Sequence, residues 1–229
     1  MRLPLILAAL LLVPASLRAE TPSNAGAAPL WSIGTGVSLF NTRLGLGQLS
    51  STVSVPVTLG LSAERRIAPQ LWLALQLDGG YQSTSSEEPA SGGATTTRDE
   101  SASLLSAAVG GRYVFNPGGV VEVSGVLSVG VAYLSDTDER SNQVLGSTVS
   151  TTTEGSDLAF RTNIGVAFER QLGKNLALRF ATTIVHLTYV SSTSETSNSA
   201  NSSVVVKDEE SSILAGFSFQ PQIGLLLQF

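Results

Sequence analysis

The chain has 229 residues, of which 42% are hydrophobic and only 14% are charged, with a formal net charge of -5 and no cysteine. This composition excludes most disordered chains as well as disulfide-framed and zinc-finger domains, and the acidic balance gives no basic surface for nucleic acid. Serine and threonine together number 52, yet the mean hydropathy is positive. Apolar and small polar residues must therefore be segregated along the chain.

The first 19 residues have the three regions of a secretory signal peptide. Arg2 provides a basic start, residues 3–13 form an apolar run, and Ala19 is the small residue expected at a cleavage site. The apolar run is too short to cross a bilayer as a helix. The sequence therefore predicts two parts, a signal peptide at 1–19 and a single exported domain at 20–229.

The exported part alternates between apolar and small or polar residues with a period of two, and helical spacing is not sustained anywhere. Such alternation predicts strands with one apolar face. In the last of them every odd-numbered residue is apolar, and Pro221 is expected at a bulge or near a membrane rim because it cannot donate a ladder hydrogen bond. The phase becomes ambiguous near His186. The eight predicted strands lie at 31–39, 53–61, 71–81, 105–115, 121–133, 158–168, 176–184 and 213–229.

Short and long connections alternate between these strands. The short ones fall at 64–70, 116–119 and 170–175, and the second contains the turn sequence Asn-Pro-Gly-Gly. The long ones are rich in Ser, Thr and acidic residues, and we expect them to be mobile low-complexity loops. One end of the molecule should therefore carry tight turns and the other long acidic loops, at 41–52, 83–101, 135–156 and 191–211.

The apolar face is predicted to point outward. Eight strands supply more apolar side chains than the interior of a small barrel can hold, and the opposite face is mostly Gly, Ala, Ser and Thr, as suits a narrow lumen. The predicted fold is all-β: a closed antiparallel up-and-down transmembrane β-barrel of eight strands, with ten strands as the alternative. A soluble barrel with the apolar face inward is a further alternative.

Aromatic residues are expected to form a girdle at each membrane interface. One group lies beside the short turns and the other beside the long loops. The girdle residues are Trp31, Tyr113 and Phe168 on the turn side, with Tyr81, Tyr133 and Tyr189 on the loop side.

The exported part of the chain resembles the small outer-membrane β-barrel proteins of the OmpA-like and OmpX-like eight-stranded class. The final strand is the most specific part of this resemblance. Phe229 as the last residue, behind Ile223, Leu225 and Leu227, looks like the C-terminal signal of that class. The resemblance implies insertion into a Gram-negative outer membrane by the barrel assembly machinery and contact with membrane lipid and lipopolysaccharide. It also implies periplasmic termini and extracellular long loops. Leu227 stands where the class often has an aromatic residue, and no periplasmic peptidoglycan-binding domain is expected after Phe229.

Charged residues on the small-residue face predict a charge network inside the barrel. Desolvated charges need partners, and positions relative to the turns predict the pairs Arg112 with Glu122 and Arg179 with Glu169. We expect this network to be structural, without a metal or cofactor. Its predicted members are Asp78, Arg112, Glu122, Arg161, Glu169 and Arg179.

These observations predict a monomer with a structural or surface-interaction role that is not an enzyme. A small porin-like channel for ions or small solutes is the first alternative. A lipid-modifying enzyme is the second, since His186 is the one histidine of the chain, but no nucleophile, base and acid can be assigned around it.

Overall fold

The computed structural model describes residues 30–39, 57–90, 94–144, 147–199 and 205–229. The predicted signal peptide at 1–19 and the predicted loop at 41–52 lie outside these ranges. No helix in the described ranges is long and apolar enough to cross a membrane. The strands are β1 (Trp31–Leu39), β2 (Val57–Ala68), β3 (Leu71–Ala90), β4 (Ala94–Val114), β5 (Glu122–Val144), β6 (Ser147–Gln171), β7 (Leu176–Asn198) and β8 (Val205–Gln228).

The eight strands form a closed antiparallel barrel in which each strand pairs with its sequence neighbours and β1 pairs with β8. The backbone closes the ring next to the C-terminus, where the N–H of Trp31 donates to the carbonyl of Phe229 at 2.9 Å and the N–H of Phe229 donates to the carbonyl of Trp31 at 3.0 Å. Closure pairs the backbone groups that an open sheet would leave at its edges. The predicted eight-stranded up-and-down barrel is confirmed.

Apolar side chains cover the outside of the barrel, as the alternation predicts. Leu61, Val109 and Leu127 are at least half exposed, whereas small or polar neighbours such as Ser62, Gly110 and Ser128 line the lumen. The outward face also changes sharply at one level. Tyr133 and Leu158 are paired across β5 and β6, and the next outward residues beyond them are serines. The apolar band therefore ends there, and we call this side of the barrel the hairpin end.

Most residues of three predicted loops are strand instead. Within the described residues, the expectation of mobile loops at 83–101, 135–156 and 191–211 is wrong, because β3 to β8 run for 20 to 25 residues and their pairing continues far beyond the apolar band. Threonine is a good strand former, and serine is tolerated on a solvated sheet. The structure therefore carries three long β-hairpins, β3–β4, β5–β6 and β7–β8.

The ambiguous phase near His186 has a physical cause. The register of β7 shifts between Thr183 and Val185 against β8, and the pairing of β6 with β7 shifts opposite the same place. One extra residue in a strand changes whether its odd-numbered or its even-numbered side chains face outward. Pro221 pairs with Thr182 beside this shift, as expected for a residue that cannot donate to the ladder.

Short turns close the other end of the barrel, which we call the turn end. Asn116 organises the β4–β5 turn: its side chain accepts from the N–H of Val123 at 2.6 Å and donates to the carbonyl of Val121 at 2.8 Å. Gly118 has a φ of 77°, which favours glycine. The predicted turn at 64–70 begins too early, because β2 continues to Ala68 and keeps Glu64 within the strand.

Candidate functional site

The lumen is the candidate site, and its first layer is a compact cluster of four charges near the turn end. Glu64 and Arg112 project from β2 and β4, and Glu169 and Arg179 project from β6 and β7. Glu64, Arg112 and Glu169 are each less than 5% exposed. We call these four residues the charged layer, and its formal charge sums to zero.

Both arginines of the charged layer contact both glutamates. Arg112 Nη2 donates to Glu64 Oε2 at 3.1 Å, and its Nη1 lies 3.5 Å from Glu169 Oε2. Arg179 Nη2 lies 2.8 Å from Glu64 Oε2 and 2.6 Å from Glu169 Oε2, and Arg179 Nη1 also contacts Glu64. Glu169 and Arg179 are register partners on β6 and β7, whereas the other contacts join strands that are not neighbours in the sheet.

Two further side chains support the charged layer, and sequence reasoning missed both. Trp72 is buried, and the guanidinium of Arg112 lies 4.9 Å from the centre of its ring, a cation–π contact. Gln228 Nε2 donates to Glu169 Oε1 at 2.6 Å. Each glutamate therefore has several donors, as a buried carboxylate requires.

The predicted pair of Arg112 with Glu122 is wrong. Glu122 lies at the start of β5 and accepts from the backbone N–H of Gly118 at 2.8 Å within the turn. Its place is taken by Glu64, which the sequence analysis assigned to a connection. The signal was present, since Glu64 continues the inward phase of Thr58, Gly60 and Ser62. The structure does bring Glu169 and Arg179 together.

The second layer lies above the charged layer and is polar. Asp78 accepts from Gln76 Nε2 at 2.9 and 3.0 Å and from Ser106 Oγ at 3.1 Å. Arg161 is close enough to Asp78 to interact electrostatically. Gly60 faces Asp78, and a Cβ there would collide with the carboxylate. We call Gln76, Asp78, Arg161 and Asn163 the polar layer.

Two small cavities adjoin the polar layer, with volumes of about 120 and 110 Å³. Gln76 and Asp78 line both of them. The first reaches down to Arg112 and Arg179, and the second is bordered by Arg161. Cavities of this size and polarity suit a few water molecules each.

A third layer of apolar side chains crosses the lumen above the polar layer. Leu104 and Leu134 are less than 10% exposed, Val190 is fully buried, and Leu214 packs against the group. Sequence reasoning missed this layer because it treated the inward face as small or polar. We call its buried members the apolar layer: Ala102, Leu104, Ala132, Leu134, Ala159 and Val190.

The fourth layer is acidic and lies beyond the apolar band, at the base of the hairpins. Asp136 follows Leu134 on the inward face of β5, and Asp157 precedes Ala159 on β6, with 8% and 7% of their surfaces exposed. Burial, together with the nearby carboxylates of Asp157 and Asp138, raises the pKa of Asp136 to about 6. We call Asp136 and Asp157 the acidic layer.

Comparison with known proteins places this barrel in a family. Residues 5–219 match the outer membrane protein beta-barrel domain. The chain belongs to this outer-membrane β-barrel family. No curated protein matches it.

Solved structures of outer-membrane proteins resemble the chain at low identity. A major outer membrane protein from Thermus thermophilus is 17% identical with a TM-score of 0.47, and the match covers 89% of this chain and 100% of that one. Acinetobacter baumannii CarO2 is 12% identical with a TM-score of 0.41, with the same two coverages. The outer membrane protease OmpT of Escherichia coli is 8% identical with a TM-score of 0.32, covering 88% of this chain and 94% of that one.

The predicted girdle residues of this outer-membrane barrel all lie on its outer face or at its rim. Tyr81, Tyr133 and Tyr189 are exposed at the hairpin end, and Phe160 packs 6.4 Å from Tyr189. At the turn end, aromatic and cationic contacts accompany the remaining girdle residues. These are Tyr113 with Phe115 at 5.6 Å, Phe168 with Phe180 at 6.4 Å, and Trp31 under the Arg65 guanidinium at 5.3 Å.

The last residues of the outer-membrane barrel also face outward. Ile223, Leu225, Leu227 and Phe229 are about half exposed and lie beside β1 and β7. This face is the one that lipid would cover.

His186 lies within β7, where it pairs with Asn163 on β6 and Gly216 on β8. Asn163 belongs to the polar layer, so the ring lies on the inner face and not at an outward rim. In the part of the chain that the structure describes, no three His, Cys, Asp or Glu residues form a group that could hold a metal ion.

Proposed function

We propose that this outer-membrane barrel is a closed monomer with a structural or surface-interaction role, holding its three long hairpins above the outer surface of the membrane. The observation that supports this most strongly is the double closure of the lumen. The charged layer crosses it near the turn end, and the apolar layer crosses it near the hairpin end.

Each closure opposes ion flow for a different reason. The charged layer is neutral overall and both of its carboxylates are paired with guanidinium groups, so it offers a passing ion no net attraction. The apolar layer gives an ion no oxygen to replace its hydration shell, and apolar constrictions resist wetting. The two cavities between the layers are too small to form a continuous path by themselves.

The orientation we propose places the termini and short turns in the periplasm and the hairpins outside the cell. The asymmetry of short turns and long hairpins is typical of Gram-negative outer-membrane barrels. In this scheme residues 1–19 direct export, and Ile223, Leu225, Leu227 and Phe229 present the assembly signal to the barrel assembly machinery. The outer face then contacts lipid and lipopolysaccharide.

Cysteine labelling tests this orientation directly, because the natural chain contains no cysteine. Thr148→Cys on the β5–β6 hairpin and Lys174→Cys in the β6–β7 turn are both exposed. On intact cells a membrane-impermeant maleimide should label Thr148→Cys only, and after lysis it should label both variants. Labelling of Lys174→Cys alone on intact cells would contradict the proposed orientation and support the opposite one.

A small channel is the second candidate, because two polar cavities share Gln76 and Asp78 within the lumen. Planar bilayers containing the purified protein distinguish the two functions, with an outer-membrane porin as the positive control. We expect no stepwise conductance from the wild-type barrel. Regular current steps would favour the channel and contradict the closed lumen.

We also propose that the protein is not an enzyme. The inward position of His186 between Asn163 and Gly216 gives it no access to lipid on the outer face. Lipid A from cells that express the protein should have the same mass spectrum as lipid A from cells that express His186→Ala. A modified lipid A that depends on His186 would overturn this statement.

A further inference from the structure

The layers of the lumen differ in how their charges are balanced. In the charged layer two arginines neutralise two glutamates, and in the polar layer Arg161 interacts electrostatically with Asp78. The acidic layer has two buried carboxylates and, among the residues that the structure describes, no arginine or lysine in salt-bridge contact with either. Buried charges of one sign are costly unless a counter-charge accompanies them.

Two arginines on the hairpins, Arg98 and Arg140, are engaged by another acid. Arg98 donates to Asp138 through Nε at 3.1 Å and through Nη2 at 2.9 Å, and Arg140 donates to the same carboxylate at 3.1 Å. Asp138 is thus the carboxylate that holds both guanidinium groups, and neither forms a salt bridge with Asp136. The acidic layer therefore lacks the partner that the lower layers have.

A neutral side chain independently indicates a missing partner at the same place. Ser192 is only 6% exposed, and its Oγ has no hydrogen-bond partner. Ser192 is the register partner of Asp157 on the neighbouring strand, and both face the lumen. Gln82 adds a second such atom, because its Oε1 is also buried without a hydrogen bond.

The strand register leaves space for these oxygens to approach one another. Gln82, Ala102 and Asp136 occupy one row across β3, β4 and β5, and the small Ala102 lies between the two polar residues. On the other side Asp136 pairs with Gly155, and a Cβ at Gly155 would collide with the carboxylate. The inner wall thus offers side-chain oxygen atoms from Asp136, Asp157 and Ser192 on three neighbouring strands and from Gln82 on β3.

We propose that the acidic layer binds a hard divalent cation, Ca²⁺ in the first instance, through the carboxylates of Asp136 and Asp157 and the Ser192 hydroxyl. Gln82 Oε1 and water complete the coordination. Carboxylate, amide and hydroxyl oxygens are the ligands that Ca²⁺ prefers, and its flexible geometry suits a site assembled from four strands. With two carboxylates and not three or more, affinity on the order of 10⁻⁴ to 10⁻³ M is expected, as for other extracellular sites.

Calcium binding to the full mature chain, refolded in detergent without lipopolysaccharide, tests this proposal. Isothermal titration with CaCl₂ at constant ionic strength measures the affinity, and the unfolding temperature is followed with Ca²⁺ and with EDTA. The Asp136→Asn/Asp157→Asn variant should lose at least about tenfold in affinity. It should also lose the rise in unfolding temperature that Ca²⁺ gives the wild type. Ser192→Ala should weaken binding less.

The matched control is Glu87→Gln/Glu209→Gln, which removes the same charge from exposed hairpin positions and should bind Ca²⁺ as the wild type does. In EDTA the Asp136→Asn/Asp157→Asn variant should be at least as stable as the wild type, which shows that it folds. The proposal fails if the wild type shows no saturable binding of Ca²⁺. It also fails if both double variants respond to Ca²⁺ equally. A further contradicting result would be that protonation of the acidic layer stabilises the barrel and Ca²⁺ gives no additional stabilisation.

Discussion

The charged layer and the acidic layer are both built from buried carboxylates on the inner wall of one barrel, yet they are stabilised differently. In the charged layer each glutamate forms ion pairs with both arginines. In the acidic layer Asp136 faces another carboxylate, and burial raises its pKa. The comparison shows that the charged layer is neutralised from within, whereas the acidic layer holds two buried carboxylates that have no salt bridge with any residue that the structure describes.

Removing one arginine from the charged layer is the strongest way to disturb this difference. Arg112→Met should lower the free energy of unfolding by about 3 to 5 kcal/mol, because Glu64 and Glu169 keep buried charges with one partner fewer. Urea unfolding in lipid vesicles measures the loss.

Glu122→Gln is the control for this change, since Glu122 at the start of β5 bonds to the turn and forms no salt bridge with the arginines of the charged layer. We expect it to change the free energy of unfolding by less than about 1 kcal/mol. An equal loss from both variants would mean that the charged layer contributes no special stability.

The apolar layer separates the two regions, and a pair of adjacent leucines tests its contribution. Leu104 is buried in the lumen, whereas Leu105 is on the outer face. Leu104→Ala should cost about 2 to 4 kcal/mol, because it leaves a cavity that the barrel wall cannot close. Leu105→Ala should cost less than half as much, because lipid chains fill the space. Equal costs in vesicle unfolding would place both side chains in similar surroundings.

The acidic layer should make stability depend on pH in the opposite sense to an ion pair. The pKa of Asp136 is about 6 in the folded barrel, above its ordinary value of 3.8, so its protonated form is favoured by folding. This contribution is fully present below pH 4 and is lost as the pH rises through 6. In EDTA the free energy of unfolding should therefore be about 1 kcal/mol lower at pH 7 than at pH 5.

Asp136→Asn should remove this part of the pH dependence while leaving the fold intact. The neighbouring groups Asp157, Asp138, Arg98 and Arg140 remain in that variant. If the variant keeps the full pH dependence of the wild type, its source lies elsewhere in the chain.

The barrel and the direction of its faces could be predicted from the sequence because each depends on local alternation. The odd-numbered apolar run at 213–229 alone fixes the phase of β8. The same alternation could not show that strands continue into the Ser- and Thr-rich segments, since neither face is apolar there. It is the pairing with a neighbouring strand that makes those segments β-structure.

The inner layers were predictable only in part, for two physical reasons. The alternation of β2 places Glu64 on the inner face. The predicted end of β2 lies before Glu64, however, and this prediction therefore leaves Glu64 out of the lumen. Partner choice depends on how the wall curves across the barrel, which brings Arg112 to Glu64 and not to Glu122. The apolar layer cannot be predicted from alternation, because Leu104 and Leu105 are adjacent and both apolar. Alternation places only one of them, Leu105, on the apolar outer face.

Continuity of the strands through the membrane boundary sets the height of the hairpins. From Tyr133 to Val144, β5 advances eleven residues at ~3.3 Å each, or ~36 Å of unbroken ladder beyond the apolar band. A strand tilted by ~40° still raises the tip by more than ~25 Å, about the thickness of the band itself. The end of β5 therefore lies about one band thickness beyond the apolar band, on a continuous extension of the barrel wall.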